Sequence, residues 1–251
     1  MKKKHMMTIL YKQYLQLWLV TGLLICSFSV LAAAELEEAG KIIAFGDSLT
    51  EGCDVYRGDC GWERSGDLGY DVELESLLQK SFRNYLVQNF GVGGETAYEG
   101  MGRVDSVIDE FCNEGAEYIL ILQGTNDLFH GAREEDVQYY LSVIVDKSKG
   151  HGLAPLLATI PPDPDHKYKN IPFMNEYIRA LASEENIPLV ELYNEMYPAW
   201  SSYTPGCYGD NLHPNAAGFK VMGEIWFKSL ADLIRPSPPP LNWMQLLLNQ
   251  P

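Results

Sequence analysis

Four short segments carry residue types that could do chemistry together. Gly46-Asp47-Ser48-Leu49 sets a serine just past an apolar, strand-like run, beside a glycine. A hydroxyl presented there becomes a nucleophile when a base takes its proton. Capping of a following helix by Asp47 or Ser48 is the structural alternative. Asp210-Asn211-Leu212-His213-Pro214 supplies a base near the other end of the chain. An Asp and a His three residues apart meet across one turn, where the carboxylate sets the imidazole tautomer and stabilises its charged form. Gly91-Val92-Gly93-Gly94 could aim backbone N–H groups at a ligand, and the alternative is a plain turn. It is no phosphate loop, because no Gly-Lys-Ser/Thr follows and Thr96 holds the last place of G-x-G-x-x-G. Gly124-Thr125-Asn126-Asp127 offers an amide that could donate to an oxyanion, or else a turn or helix cap.

These segments need a scaffold that brings them to one rim. Apolar strand-like runs occur at Lys41–Phe45, Asn84–Phe90, Tyr118–Leu122, Ala154–Ile160 and Pro188–Leu192. Helical periodicity occupies Leu68–Ser81, Met101–Asn113, Arg133–Lys149, Phe173–Glu185 and Asn215–Ile234. Strand then helix, repeated, predicts a parallel sheet with helices on both faces. The near-continuous apolar runs fit strands covered on both sides. Ligands in such open α/β sheets bind beyond the C-terminal ends of the strands. Three of the four segments directly follow a predicted strand, and the fourth precedes the last helix.

The four blocks, in this order, closely resemble the SGNH (GDSL-type) hydrolase superfamily of esterases and lipases. The match is GDSL at 46–49, a glycine at 94, GTND at 124–127 and DNLHP at 210–214, and it covers nearly all of the chain after its N-terminal segment. GDSL alone is short; four blocks near the family spacing are specific. The resemblance implies a flavodoxin-like three-layer α/β/α sandwich on a five-stranded parallel sheet. It implies Ser48 as nucleophile, His213 as base and Asp210 as its orienter. It further implies an oxyanion hole formed by the Ser48 N–H, the Gly94 N–H and the Asn126 side chain. The implied activity is hydrolysis of carboxylic esters, lysophospholipids and thioesters included, with no metal or organic cofactor. An imidazole base must be neutral, so the rate is expected to fall as pH drops through the ordinary imidazole range near ~6.5. Carbohydrate O-deacetylation and acyl transfer are the alternatives within enzymes. A non-catalytic carbohydrate- or lipid-binding module is the alternative of another class, and an aligned Ser, Asp and His argues against it.

Charge narrows the partners. The formal net charge is −15, from 19 Lys and Arg against 34 Asp and Glu. Such a surface repels phosphate backbones and anionic lipid headgroups, so no nucleic-acid partner is expected. The expected partner is a small-molecule or glycan ester. Lys2, Lys3, Lys4 and Lys12 lie in a segment without acids, and an uncharged apolar run from Gln13 ends in Ala32-Ala33-Ala34. A basic start, an apolar middle and a small-residue exit form a secretory signal, with cleavage expected after Ala34. An uncleaved anchor is the alternative, since about 20 apolar residues span a bilayer. The predicted divisions are therefore a signal at 1–34, a hydrolase domain at 35–235 and a Pro-rich tail at 236–251. Cleavage would leave no stable membrane insertion and a periplasmic or secreted protein. Cys53, Cys60, Cys112 and Cys207 would then meet an oxidising compartment, where disulfides form. Four cysteines allow three pairings, and free buried thiols are the alternative. Tyr56, Trp62 and Tyr98 lie near the predicted rim, able to stack on a sugar, grip an acyl chain or simply pack. Asp163-Pro164-Asp165-His166 reads as a solvated loop rather than a metal site.

Overall fold

The computed structural model describes residues 40–52, 68–82, 85–112, 115–163, 170–204, 206 and 210–234, without the Cys112 side chain. Strand β1 (Gly40–Gly46) has the alternation that a doubly covered strand requires. Ile42 and Ala44 enter one apolar layer, Ile43 and Phe45 the other, all fully buried. On one side β1 pairs with β2 (Tyr85–Gly91), on the other with β3 (Ala116–Leu122), parallel in both cases. β4 (Ala154–Ala158) adds in parallel to β3, and β5 (Leu189–Val190) to β4. The strand order is β2-β1-β3-β4-β5.

That order positions the site. The chain steps one way from β1 to β2, then returns past β1 to β3 and continues the other way. Loops leaving β1 and β3 diverge at this reversal, the place where open α/β sheets bind their ligands. Ser48 follows β1 by two residues and Asn126 follows β3 by four, so topology alone sets them both at this reversal.

The helices, in chain order, are α1 (Ser48–Glu51), α2 (Tyr70–Ser81), α3 (Ala97–Cys112), α4 (Thr125–Phe129), α5 (Glu134–Gly150), α6 (Ile171–Glu184), α7 (Leu192–Met196) and α8 (Ala216–Ile234). A 3₁₀ turn over Tyr197–Ser202 follows α7. α2 and α8 cover the face of Ile42, Ala44, Leu120 and Leu122. Tyr70 of α2 stacks on Trp226 of α8 with ring centroids 5.7 Å apart. A buried ring pair of this kind adds about 1 kcal/mol beyond its area. α3, α5 and α6 cover the face of Ile43, Phe45, Ile119 and Ile121. The predicted three-layer α/β/α sandwich on a five-stranded parallel sheet is the observed fold.

The boundaries differ where tertiary contacts decide them. α3 begins at Ala97, four residues before the periodic run at Met101, because the Asp127 carboxylate accepts the Ala97 N–H at 2.6 Å. This cap comes from 30 residues away. β5 shrinks to two residues, because Leu192 already opens α7, whose Tyr193 N–H donates to Thr159 Oγ1 at 3.0 Å. α1, α4 and α7 hold only four or five residues each, too few to show a helical period. The signal, the Pro-rich tail, Tyr56, Trp62, Asp165, His166, Cys53, Cys60, Cys207 and the Cys112 thiol lie outside the described residues.

Candidate active site

The nucleophile candidate sits at a helix start. Asp47 is extended (φ −93°, ψ −150°), and its Oδ1 accepts the Leu49 N–H at 2.9 Å, capping α1. The capping reading of this segment is the observed one: Asp47 caps α1. As the first residue of α1, Ser48 has an N–H with no intrahelical acceptor. Burial pushes the Asp47 carboxyl up to about 7, against the pull of the Leu49 N–H. Asp127 and Glu95 add to the rise through like charge.

Ser48 Oγ lies 2.8 Å from His213 Nε2. On the far side of the ring, His213 Nδ1 lies 2.9 Å from Asp210 Oδ2. Asp210 Oδ1 accepts the His213 and Leu212 N–H groups at 2.8 and 3.1 Å. One carboxylate therefore builds the turn with one oxygen and meets the ring with the other. Burial opposes ionisation of Asp210, but these N–H donors and the His213 ring outweigh it and hold the carboxyl below its ordinary range. The turn is pinned from behind by Trp200, whose Nε1 donates to the Asn211 carbonyl at 2.8 Å. Leu212, 5% exposed, anchors it in the α3/α5/α6 layer.

The donor candidates stand in the segments that follow β2 and β3. The Glu95 N–H donates to the Val92 carbonyl at 3.1 Å, closing a β-turn with Gly94 at its third position. Gly94 has φ +80°, a value that type II turns require there and that side chains disfavour. Asn126, in α4, donates one Nδ2 hydrogen to the Glu95 carbonyl at 2.9 Å. An amide has two such hydrogens, so the second is left to point at a ligand. The carbonyl that fixes the Asn126 amide belongs to the residue directly after Gly94. Such a line of hydroxyl, imidazole and carboxylate can move a proton off Ser48, and the donors can hold a developing negative oxygen.

Sequence reasoning missed Glu95, Arg103, Gln123 and the capping role of Asp127. Glu95 is 6% exposed and Gln123 1%. Burial raises the Asp127 carboxyl, while the Ala97 N–H that it caps pulls it down. Glu95 and Arg103 are eight residues apart, outside the i,i+3 and i,i+4 spacings that mark helical pairs. Only a buried acid directly after a glycine turn would have flagged them. Among the described residues, no group of three His, Cys, Asp or Glu side chains is arranged to hold a metal ion.

A family model described as GDSL-like lipase/acylhydrolase matches residues 44–221. The chain belongs to this family. It is accordingly an ester-bond hydrolase. Solved structures share the fold of this GDSL-family chain at low identity. A psychrotrophic esterase from Pseudoalteromonas sp. matches at 20% identity and TM-score 0.61, over 78% of this chain and 98% of its own. A lipase/acylhydrolase from Enterococcus faecalis matches at 19% and 0.62, over 79% and 99%. An acetyl xylan esterase matches at 21% and 0.60, over 76% and 99%. Comparison with curated proteins gives no significant match.

Of the rim aromatics, Tyr98 is described. It is the second residue of α3, four residues after Gly94, 60% exposed, with its ring 5.3 Å edge-on from Tyr140.

Proposed function

We propose that this GDSL-family protein is an exported serine esterase that works through an acyl-enzyme on Ser48. The observation that carries the reading is the unbroken line from Ser48 Oγ to His213 Nε2 at 2.8 Å and from His213 Nδ1 to Asp210 Oδ2 at 2.9 Å. Neutral His213 takes the Ser48 proton as Oγ bonds to the ester carbonyl carbon. The carbonyl oxygen becomes an oxyanion, held by the Ser48 and Gly94 N–H groups and the free Asn126 hydrogen. The intermediate collapses, the bond to the alcohol oxygen breaks, and His213 returns the proton to that oxygen. Water, deprotonated by the same ring, attacks the acyl-enzyme, and the acid leaves as Ser48 regains its proton. Export rests on the basic-then-apolar N-terminal run ending in three alanines. The N-terminal mass of the secreted protein tests it: Glu35 as first residue is expected, and a retained Met1 or Lys2 contradicts it.

Carbohydrate O-deacetylation is a second reading, favoured by Tyr98, an exposed ring four residues after Gly94 in the chain. An aromatic face there suits a sugar ring. Hydrolysis of p-nitrophenyl esters from acetyl to long acyl chains, by residues 35–251 beside Ser48→Ala, tests both. Turnover lost in the variant supports the esterase. An acetyl-only profile, with acetate released from an acetylated polysaccharide, favours the deacetylase. Binding without turnover, unchanged by Ser48→Ala, would replace both with a binding module.

A further inference from the structure

We propose that Glu95 and Arg103 are positioning residues, a clamp of a buried carboxylate and a half-buried guanidinium that sets both the Gly94 turn and the Asn126 amide for oxyanion binding. The inference rests on the esterase reading and adds the device that holds its donors in place. The Glu95 carboxylate receives Arg103 as a fork: Nε on Oε1 at 2.6 Å and Nη2 on Oε2 at 2.8 Å. Gln123, which follows β3, adds its Nε2 to Glu95 Oε2 at 2.6 Å. Arg103 Nη2 also donates to the Phe90 carbonyl at 2.9 Å. Phe90 leads into the Gly91–Gly94 segment and Glu95 leads out of it. One guanidinium on α3 therefore ties down both ends of that loop. The guanidinium carbon also lies 4.4 Å from the Phe45 ring centroid, at the end of β1.

The clamp reaches the second donor through the Glu95 backbone. The Glu95 carbonyl accepts one Asn126 hydrogen at 2.9 Å, so the position of Glu95 sets the plane of the amide and the direction of its other hydrogen. The Gly94 turn and the Asn126 side chain then cannot drift independently.

The surroundings are built around this pair. A Cβ on Gly100 would sit 2.8 Å from Gln123 Nε2 and 3.3 Å from Glu95 Oε2, so α3 presents bare backbone here. Stability is a weak reason for the arrangement. Taking charge out of water costs desolvation, and apolar replacements of such pairs are often neutral or better. What a planar fork supplies, and a point charge does not, is fixed orientation.

The test uses steady-state hydrolysis of a short p-nitrophenyl ester by Glu95→Gln, Arg103→Lys and Asn126→Ala, singly and with Arg103→Lys combined with Asn126→Ala. Melting temperature is followed for each, and rates are taken well below it. Asn126→Ala should lower kcat by roughly 10²–10³-fold, the loss seen when one oxyanion donor is removed. Glu95→Gln and Arg103→Lys should lower kcat and kcat/KM together by roughly 10–10²-fold, with KM little changed. For Arg103→Lys, which keeps every charge, the pH midpoint of the rate should not move, because the Ser48–His213–Asp210 contacts are untouched. Arg103→Lys keeps the charge and loses the fork, so it serves if Glu95→Gln does not fold. In the Asn126→Ala background, Arg103→Lys should cost less than in the parent, since one of the two donors it helps to set is gone and only the Gly94 turn still depends on it. A lowered melting temperature with unchanged kcat would overturn the clamp, and so would losses that multiply fully in the double variant. If Asn126→Ala itself leaves kcat unchanged, the oxyanion assignment fails first, and the clamp with it.

Discussion

Ser48 and His213 are 165 residues apart in the chain, yet their side chains meet at 2.8 Å. Ser48 follows β1, which lies between β2 and β3 in the sheet, and His213 leads into α8, packed on one face. The contact therefore exists only when the strand order and that helix layer are both in place. The proposed chemistry is a property of the whole fold rather than of either motif.

Replacing Ser48 with alanine should lower kcat on p-nitrophenyl esters by roughly 10⁴-fold or more, as loss of a nucleophile in an acyl-enzyme site does. Asp47 keeps its bond to the Leu49 N–H, so α1 keeps its cap. Circular dichroism and melting temperature should stay close to the parent. A variant that is folded and still active would remove Ser48 from the mechanism.

Asp210→Asn separates orientation from loop building. The asparagine oxygen can still accept the Leu212 and His213 N–H groups that Asp210 Oδ1 now holds. Only the carboxylate facing His213 Nδ1 is lost. The turn should persist while kcat falls by about 10²–10⁴-fold. Steady-state kinetics beside a urea melt reads both, and a large stability loss with a small kcat loss would contradict the assignment.

Asp47 makes a prediction about pH and stability. Its folded carboxyl sits at about 7, against 3.8 unperturbed. Between those values the folded chain holds a proton that the unfolded chain has released, so this group lowers stability as pH rises. Its contribution is absent below about pH 4 and fully present above about pH 7. An asparagine side chain cannot ionise and is an equally good cap. The stability of Asp47→Asn relative to the parent should therefore grow from pH 4 to pH 8. Urea unfolding of both proteins across that range measures the difference, which would stay flat if Asp47 were ordinary. Asp71, which burial pushes up to about 6, acts in the same direction but is common to both proteins.

Asn175 carries a prediction about the scaffold. It is fully buried on α6 and grips both backbone groups of Ile160, accepting its N–H at 2.8 Å and donating to its carbonyl at 3.0 Å. Alanine there would leave two buried polar groups unpaired, at about 1–3 kcal/mol each. Urea denaturation should show a loss of about 2–4 kcal/mol. A loss under about 0.5 kcal/mol would mean that water replaces the amide.

The fold was legible because its signals are local and strong. The apolar runs of β1 and β3 and the period of α5 and α8 lie in contiguous sequence. The elements that escaped are set by contacts between distant residues. α3 starts where Asp127 caps it, and β5 stops where Thr159 draws the chain into α7. The candidate site shows the same division. Ser48, His213, Asp210, Gly94 and Asn126 stand in short motifs whose residue types announce chemistry. Glu95 and Arg103 stand in no motif, since a charge pair at a spacing of eight carries no local signature. Their partnership appears only once β1, β2 and α3 are packed.

The most direct test of the central claim is covalent trapping with a p-nitrophenyl alkylphosphonate, read by intact mass and peptide mapping. A phosphonate is attacked as an ester is, and its adduct stops at the tetrahedral stage. The account predicts one adduct per chain, on the peptide containing Ser48, with activity lost in proportion to labelling. It predicts no adduct on Ser48→Ala and slow labelling of Asp210→Asn. An adduct on any other residue that abolishes activity, or inactivation without labelling of Ser48, would contradict it.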